Sequence, residues 1–427
     1  MRIVFTTWGS LGDLHPFLAL ALEMKRRGHQ PAVATLGAWR DAVERAGIRF
    51  HPIRPDVPAD PERARQMVLD VLDARNGPKY LFEEVMGPVI RDTYEDTLAA
   101  VNADGGADAL VTHQIPVTGP IVAQVTGIPW VSCVLLPMAF LSAYDPPTPP
   151  QAAWVRRVAA LHPSIARGLL ALARRATGSW IAPIARLRAE LGLPPGRNPV
   201  FEGQHSPLRV LGLFSPVFAA KQPDHPPQLA ITGFPFYDAA DSKPPDPDLL
   251  RFLEDGAPPV LFTLGSSAVW IAGNFYHSAI GAARSLGIRA LLLAGEQAAS
   301  LRAAGLPDGI AAFDYAPHSM VMPRAAANVH QGGVGTTAQA LRAGRPQLIV
   351  PFGQDQPDNA RRVVGLGAGR TISRSSVSPD RLARELRALL QNADYARRAE
   401  SVAAAIRKER GVVTACDEID RIIAAVK

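Results

Sequence analysis

An α/β fold built from two doubly wound parallel sheets is what this sequence predicts, on three observations. Strand-length apolar runs alternate with helix-length segments along most of the chain, the pattern of parallel strands joined by crossover helices. The 427 residues exceed what one ordinary core encloses, so two domains are expected. The halves also echo each other: each begins with a strand, a Gly-Ser turn and a helix, with Gly9-Ser10 in the first and Gly265-Ser266-Ser267 in the second.

In the first half, residues 2–7 form a buried strand, Trp8 to Asp13 a glycine-punctuated turn, and 14–27 a helix ended by Gly28. Strand 32–36, a short helix at 40–46 and strand 48–53 complete a βαβαβ opening. Helices at 61–74 and 81–101, strand 109–112, helix 117–126 and strand 130–135 continue the alternation. Residues 136–206 break it, with Asp145-Pro146-Pro147-Thr148-Pro149-Pro150 as a stiff loop and helices from about 153 to 191. Strand 210–214 closes the first domain, taken as 1–222. Residues 223–258 carry Pro223, Pro226, Pro227, Pro244, Pro245 and Pro247 and read as the linker. Asp246-Pro247-Asp248 is formally an Asp-x-Asp pair; its place before helix 249–254 makes a helix cap the better explanation.

The second domain, 259–405, restarts with strand 260–264, helix 275–286 and strands 289–293 and 310–313. Helix 359–364, strand 370–372 and helix 379–390 follow later, and the final helix, 406–427, is expected to pack back toward the first domain. Between them lies Val329-His330-Gln331-Gly332-Gly333-Val334-Gly335-Thr336-Thr337, a strand entering a glycine turn that opens a helix. Without a Cβ the backbone there can approach an anion, and the unpaired amides and positive end of the helix dipole point at it. A diphosphate fits. An ordinary tight turn is the alternative for a lone glycine cluster. The next strand, 346–350, ends in Gly353-Gln354-Asp355-Gln356, and neighbouring strand ends in a parallel sheet share one rim, so the two polar clusters should meet. Gly365, Gly367 and Gly369 follow a helix and precede a strand, so they read as turn chemistry.

Composition excludes several classes. With 47% apolar and 20% charged residues the chain is not disordered, and the net charge of +6 without aromatics set among dense basic runs argues against a nucleic-acid partner. Two cysteines, Cys133 and Cys416, make no disulfide framework and no zinc spacing, so a reducing cytoplasm is expected. The run from Phe17 to Met24 is too short to cross a bilayer. From Gln151 to Ala189 there are seven arginines and no acidic residue. Residues 151–191 therefore carry two readings: a solvated helix face, or peripheral contact with an anionic membrane or acidic amphiphile at the inner membrane face.

Several stretches in order resemble the family 1 glycosyltransferases of the GT-B fold over nearly the whole chain. They are Gly9-Ser10-Leu11-Gly12-Asp13-Leu14-His15-Pro16, Phe262 to Ser267, Tyr315-Ala316-Pro317, His330-x-Gly332-Gly333-x-Gly335-Thr336 and Asp355-Gln356-x-Asp358-Asn359-Ala360. Within that family the chain looks most like rhamnolipid rhamnosyltransferases and sterol and antibiotic glycosyltransferases. The resemblance implies two Rossmann-like domains facing a central cleft. It also implies an inverting transfer of a hexose from a nucleotide diphosphate sugar, UDP-glucose favoured over dTDP-rhamnose or another sugar, to a hydroxyl of a hydrophobic lipid, sterol or polyketide-like acceptor.

Position by position, the resemblance implies that His330 and the turn of Gly332, Gly333, Gly335 and Thr336 hold the diphosphate, with Ser266 reaching it. Tyr315, Pro317 and His318 would bracket the base, where many relatives place Trp and Gln; the departure leaves uridine and thymidine both open. Asp355 and Gln356 would bind sugar hydroxyls. On its own His330 reads more readily as a satisfied strand-end histidine. The acceptor must lose a proton as it attacks, so one general base suffices, and the leaving diphosphate needs positive potential without requiring a metal. No cofactor beyond the sugar nucleotide as co-substrate is expected.

Asp13 sits where relatives carry their base; its alternative is an N-cap for a helix beginning at Leu14. His15 is a competing base. Topology puts the strand before His113 beside the first strand, so His113 is expected to hydrogen-bond Asp13 as a relay, with a water-facing strand end as the alternative. Trp8, Met86 and Phe140 are expected against the acceptor. Two other functions share the architecture: a sugar-nucleotide epimerase or hydrolase, and a non-catalytic accessory protein of a transferase.

Overall fold

The computed structural model describes residues 1–150, 152–238 and 246–426. Gln151 of the basic stretch, Pro244 and Pro245 of the expected linker, and Lys427 lie outside the described residues. The chain forms two units, one of Met1–Val71, Arg75–Tyr237 and Glu409–Lys427, the other of Leu72–Ala74 and Asp238–Lys408.

The first unit holds a sheet of seven parallel strands: β1 (Arg2–Thr6), β2 (Gln30–Thr35), β3 (Arg49–Pro52), β4 (Ala109–His113), β5 (Trp130–Val134), β6 (Val210–Gly212) and β7 (Leu229–Ile231). Their spatial order is β3-β2-β1-β4-β5-β6-β7. The central strands are apolar runs buried on both faces, as a parallel sheet covered by helices requires. The order reverses between β1 and β4, which pair in parallel with Thr6 opposite Thr112. This reversal brings the turn after β1 and the end of β4 to one crevice.

Two sequence expectations need correction in this unit. The helix expected over 81–101 is broken: a π-helical turn at Leu81–Met86 and a 3₁₀ turn at Gly87–Val89 precede the helix Ile90–Asn102. Pro88 removes an amide and crowds the preceding turn, which ends regular α-helix there. The expected linker from 223 contains β7, which pairs with β6, Val210 opposite Leu229. Pro226 and Pro227 read as breakers, yet a strand at the sheet edge tolerates proline just before it. The helices expected from about 153 to 191 are present as Ala153–Ala159, Pro163–Ala176 and Ala182–Glu190.

The last helix, Gly411–Val426, belongs to this unit and lies along the helix Leu11–Arg26. Arg27 Nη1 lies 2.8 Å from both Asp417 and Asp420, and the buried Cys416 Sγ donates to Leu20 O at 3.6 Å.

The second unit repeats the plan with β8 (Val260–Thr263), β9 (Ala290–Leu293), β10 (Ile310–Phe313), β11 (Ala327–His330), β12 (Gln347–Ile349) and β13 (Gly369–Thr371) in the order β10-β9-β8-β11-β12-β13. All neighbours are parallel, and the reversal falls between β8 and β11. A seven-residue helix, Gln297–Ala303, crosses from β9 to β10 where the sequence reading had only a connection. Asp246 caps the helix Pro247–Glu254 by accepting from Asp248 N at 2.8 Å, so the Asp-x-Asp pair is cap chemistry. Among the described residues no helix is long and apolar enough to cross a membrane.

Candidate functional site

In the first unit the site is the turn after β1. The helix Leu11–Arg26 begins three residues earlier than the sequence reading placed it, with Ser10 as N-cap. Asp13 is therefore the third helical residue of a capping box: its Oδ2 accepts from Ser10 N at 2.8 Å and from Ser10 Oγ at 3.0 Å, while Ser10 Oγ accepts from Gly12 N. The Ser10-x-x-Asp13 spacing carried that signal. Gly9, at φ +130°, lets the chain fold over the carboxylate; a Cβ there would collide with Asp13. Two indoles pin this loop, Trp39 Nε1 donating to Gly9 O at 2.9 Å and Trp8 Nε1 to Pro55 O at 2.7 Å.

Burial pushes the Asp13 carboxyl up to about 6 against the downward pull of the Ser10 hydrogen bonds, with 23% of the side chain still meeting solvent. The carboxyl thus exchanges its proton near neutrality, as a general base does. His113 ends β4 with its ring 1% exposed, which rules out the water-facing reading. The expected direct hydrogen bond to Asp13 is absent: Nε2 lies 3.9 Å from Asp13 Oδ1 and has no hydrogen-bond partner. Nδ1 lies 3.4 Å from Thr7 Oγ1. Because the Thr7 hydroxyl gives its hydrogen to Asp13 O, at 3.1 Å, it accepts from His113, which makes Nδ1 the protonated nitrogen and turns the Nε2 lone pair toward Asp13. Burial lowers the imidazole to about 3, so it is neutral. His15 is half-buried, its ring 5.1 Å from that of Tyr237.

The proposed acceptor residues separate. Trp8 and Met86, 6% and 1% exposed, share one apolar cluster with Leu36, Leu81 and Val85. Phe140 packs in another, against Val134, Val210 and Leu229, between the rings of His205 and His225. Trp8 and Met86 are interior side chains and Phe140 is partly buried; what faces outward beside the Trp8 cluster is a groove of about 450 Å³ lined by Pro55, Met67, Tyr80, Glu84, Val85 and Val89.

In the second unit β11 runs into the glycine turn, and Gly333 caps the helix Val334–Ala343. The first amides of such a helix have no intrahelical acceptor and face outward with the positive end of its dipole. Gly332 has φ +94°, and a Cβ there would stand 2.8 Å from Ile349 Cγ2 and 3.2 Å from Gln356 O. His330 differs from its expected place. It is fully buried beneath the turn, its Nδ1 accepting from Gly332 N at 3.1 Å and its Nε2 3.0 Å from Gln347 Oε1. Both nitrogens are engaged, so it shapes the turn as a satisfied strand-end histidine. Burial lowers its pKa to about 4.

The two polar clusters meet, as adjacent parallel strands β11 and β12 require. Asn359 Nδ2 bridges Gly332 O, at 2.9 Å, to Asp355 Oδ2, at 2.5 Å. Gln356 Oε1 accepts from Phe352 N and Gly353 N, holding that loop. Ser266 is exposed in the short helix Gly265–Ala268 after β8. Gln331, the variable position of the motif, lies against Gly265 and donates to Thr336 Oγ1 at 3.3 Å. Tyr315, 55% exposed, precedes Ala316, Pro317 and the turn His318–Val321 after the edge strand β10. Gln331 and Asn359 were not among the expected site residues; the four-residue spacing of Asp355 and Asn359, which puts them on one helix face, was the available signal. Among the described residues no three His, Cys, Asp or Glu side chains converge as metal ligands.

Two Rossmann-like parallel sheets, the second with an anion-ready glycine turn, define the class: an α/β protein of GT-B type. Residues 3–86 match the glycosyltransferase family 28 N-terminal domain, and residues 290–419 match the C-terminal domain of erythromycin biosynthesis protein CIII-like proteins. The chain is 34% identical over 427 residues to O-mycaminosyltylonolide 6-deoxyallosyltransferase of Streptomyces fradiae, covering 97% of this chain and 96% of that one. A sterol 3-beta-glucosyltransferase of Leptosphaeria maculans is 27% identical over 100% of this chain, which spans 29% of that longer protein. The glycotransferase of kitacinnamycin superposes with a TM-score of 0.70 at 22% identity over 99% of both chains. VinC in complex with DTDP does so at 0.67 and 21%, over 100% of both. The chain belongs to the glycosyltransferase family that includes these antibiotic and sterol enzymes.

Proposed function

We propose that this glycosyltransferase moves a 6-deoxyhexose from a nucleoside diphosphate to a hydroxyl of a hydrophobic natural product, with inversion and without a metal. The observation that carries the donor half is the joined rim of the second unit, where Asn359 ties the glycine turn to Asp355. The diphosphate binds the amides of Gly333, Gly335 and Thr336, with Ser266 and the Thr336 hydroxyl beside them, and the helix dipole offsets its charge as the bond breaks. Asp355 accepts from a sugar hydroxyl, and the amide nitrogen of Gln356, whose oxygen is committed to the loop, donates to another. Tyr315 stacks on the base, between Pro317 and His318. His330 acts only through Gly332. The choice of a 6-deoxyhexose over UDP-glucose is supported by the sugar for which the Streptomyces fradiae relative is named.

Asp13 takes the acceptor's proton as its oxygen attacks the anomeric carbon, and a single displacement of this kind inverts that carbon. Asp13 Oδ1, which then carries the proton, lies 3.9 Å from the bare Nε2 of His113, close enough for a small side-chain shift to complete the hydrogen bond. His113 is thereby a positioning residue for the protonated base. The groove lined by Pro55, Met67, Tyr80 and Val85 receives the apolar acceptor. A thermal-shift panel of uridine and thymidine diphosphates and their sugars, run with and without chelator, tests the donor half. A shift for one nucleotide that survives chelation supports this reading, and no shift with any of them refutes it.

A further inference from the structure

The basic stretch carries apolar side chains that nothing among the described residues of its own unit covers. Trp154, Val158, Leu161, Ile165 and Leu172 are 67%, 37%, 74%, 40% and 66% exposed. Trp154 and Val158 stand four apart on the helix Ala153–Ala159, and Ile165 and Leu172 seven apart on Pro163–Ala176, so each pair shares a face of its own helix, with Leu161 in the turn between. The adjoining side of each helix packs inward through Ala159, Ala166, Leu169 and Leu170. Single exposed leucines are ordinary, but five exposed large apolar side chains between Trp154 and Leu172 are not.

Charge decides what these side chains meet. No carboxylate occurs between Gln151 and Ala189. Arg167 is held by Tyr144 and Arg174 by Glu202, but Arg157 and Arg175, both exposed, flank the apolar side chains facing water. Exposed apolar side chains with an aromatic at one end and arginines beside them fit the interface of an anionic bilayer, the indole and leucines entering the acyl boundary and the guanidiniums meeting phosphates. We propose that these two helices dock the protein on an anionic lipid surface, lying in the interface plane. This goes beyond the transfer reaction, and binding can be measured without turnover.

Flotation of the full chain with phosphatidylglycerol-containing vesicles, and with neutral phosphatidylcholine vesicles, tests this. The chain is expected to float with the anionic vesicles only and to be released by high salt. Trp154 emission should shift to the blue on binding, and Trp154→Phe should remove that change. Leu161→Gln with Leu172→Gln should weaken binding at least about tenfold. Arg157→Glu or Arg175→Glu should weaken it by about fivefold or more each. All five positions are exposed, so an unchanged melting midpoint verifies folding. No flotation with anionic vesicles, equal flotation with neutral ones, or undiminished binding of the leucine variant overturns the proposal. Self-association that the leucine variant abolishes, without vesicle binding, assigns the apolar side chains to a second copy of the chain instead.

Discussion

Replacing Asp13 by Asn should make the protein more stable at neutral pH while disabling it. The native carboxyl rises from 3.8 to about 6 because it is desolvated, so the folded state disfavours its ionised form. At about 1.4 kcal/mol per tenfold in the ionisation constant, that rise amounts to roughly 3 kcal/mol at pH 8, an upper bound because 23% of the side chain meets water. The sign follows from linkage: stability from the protonated acid is full below 3.8 and is lost as pH rises through about 6. Asn cannot ionise and escapes that loss, although weaker hydrogen bonds from Ser10 return about 1 kcal/mol. A net gain of about 1–2 kcal/mol is expected at pH 8 and none at pH 4, read as the difference in denaturation midpoint between variant and native protein. Turnover should fall by roughly 10²–10⁴-fold. A stability difference that does not grow with pH would refute the argument, since it would mean a solvated carboxylate of ordinary acidity.

Other perturbations separate the parts of the donor rim. Gly332→Ala forces a side chain into a left-handed backbone against Ile349 and should cost roughly 2 kcal/mol, together with the thermal shift produced by nucleotide. Asn359→Leu frees Asp355 from the turn and should raise the donor KM with a smaller effect on the acceptor KM, measured by initial rates. The buried, neutral His113 and His330, lowered to about 3 and about 4, contribute stability that is present above 6.5 and lost as pH falls toward those values. Acid titration of the unfolding midpoint should show that loss, and His330→Gln should reduce its slope.

Most of the fold was legible because parallel strands buried on both faces are near-continuous apolar runs, and the glycine turn announced itself by its strand-to-helix context. What escaped was short or interrupted. β7 has three residues behind Pro226-Pro227, and the helix Gln297–Ala303 has seven, too few for a clear period. At the site, the neighbourhood of β1 and β4 followed from topology, and so did the proximity of His113 to Asp13. The 3.9 Å separation and the protonated Nδ1 did not, because they depend on where Thr7 spends its one hydrogen. The motif also hid what His330 does. Sequence places a histidine before the glycines, but only packing shows Gln347 and Gly332 taking both of its nitrogens.

The most direct test of the account is the anomeric configuration of a product formed from a nucleoside diphosphate 6-deoxyhexose and a hydroxylated polyketide lactone, determined by NMR for the native protein and for Asp13→Asn. The native protein is expected to give a glycoside of inverted configuration and the variant almost none. Retained configuration, or a variant that turns over at the native rate, would contradict it.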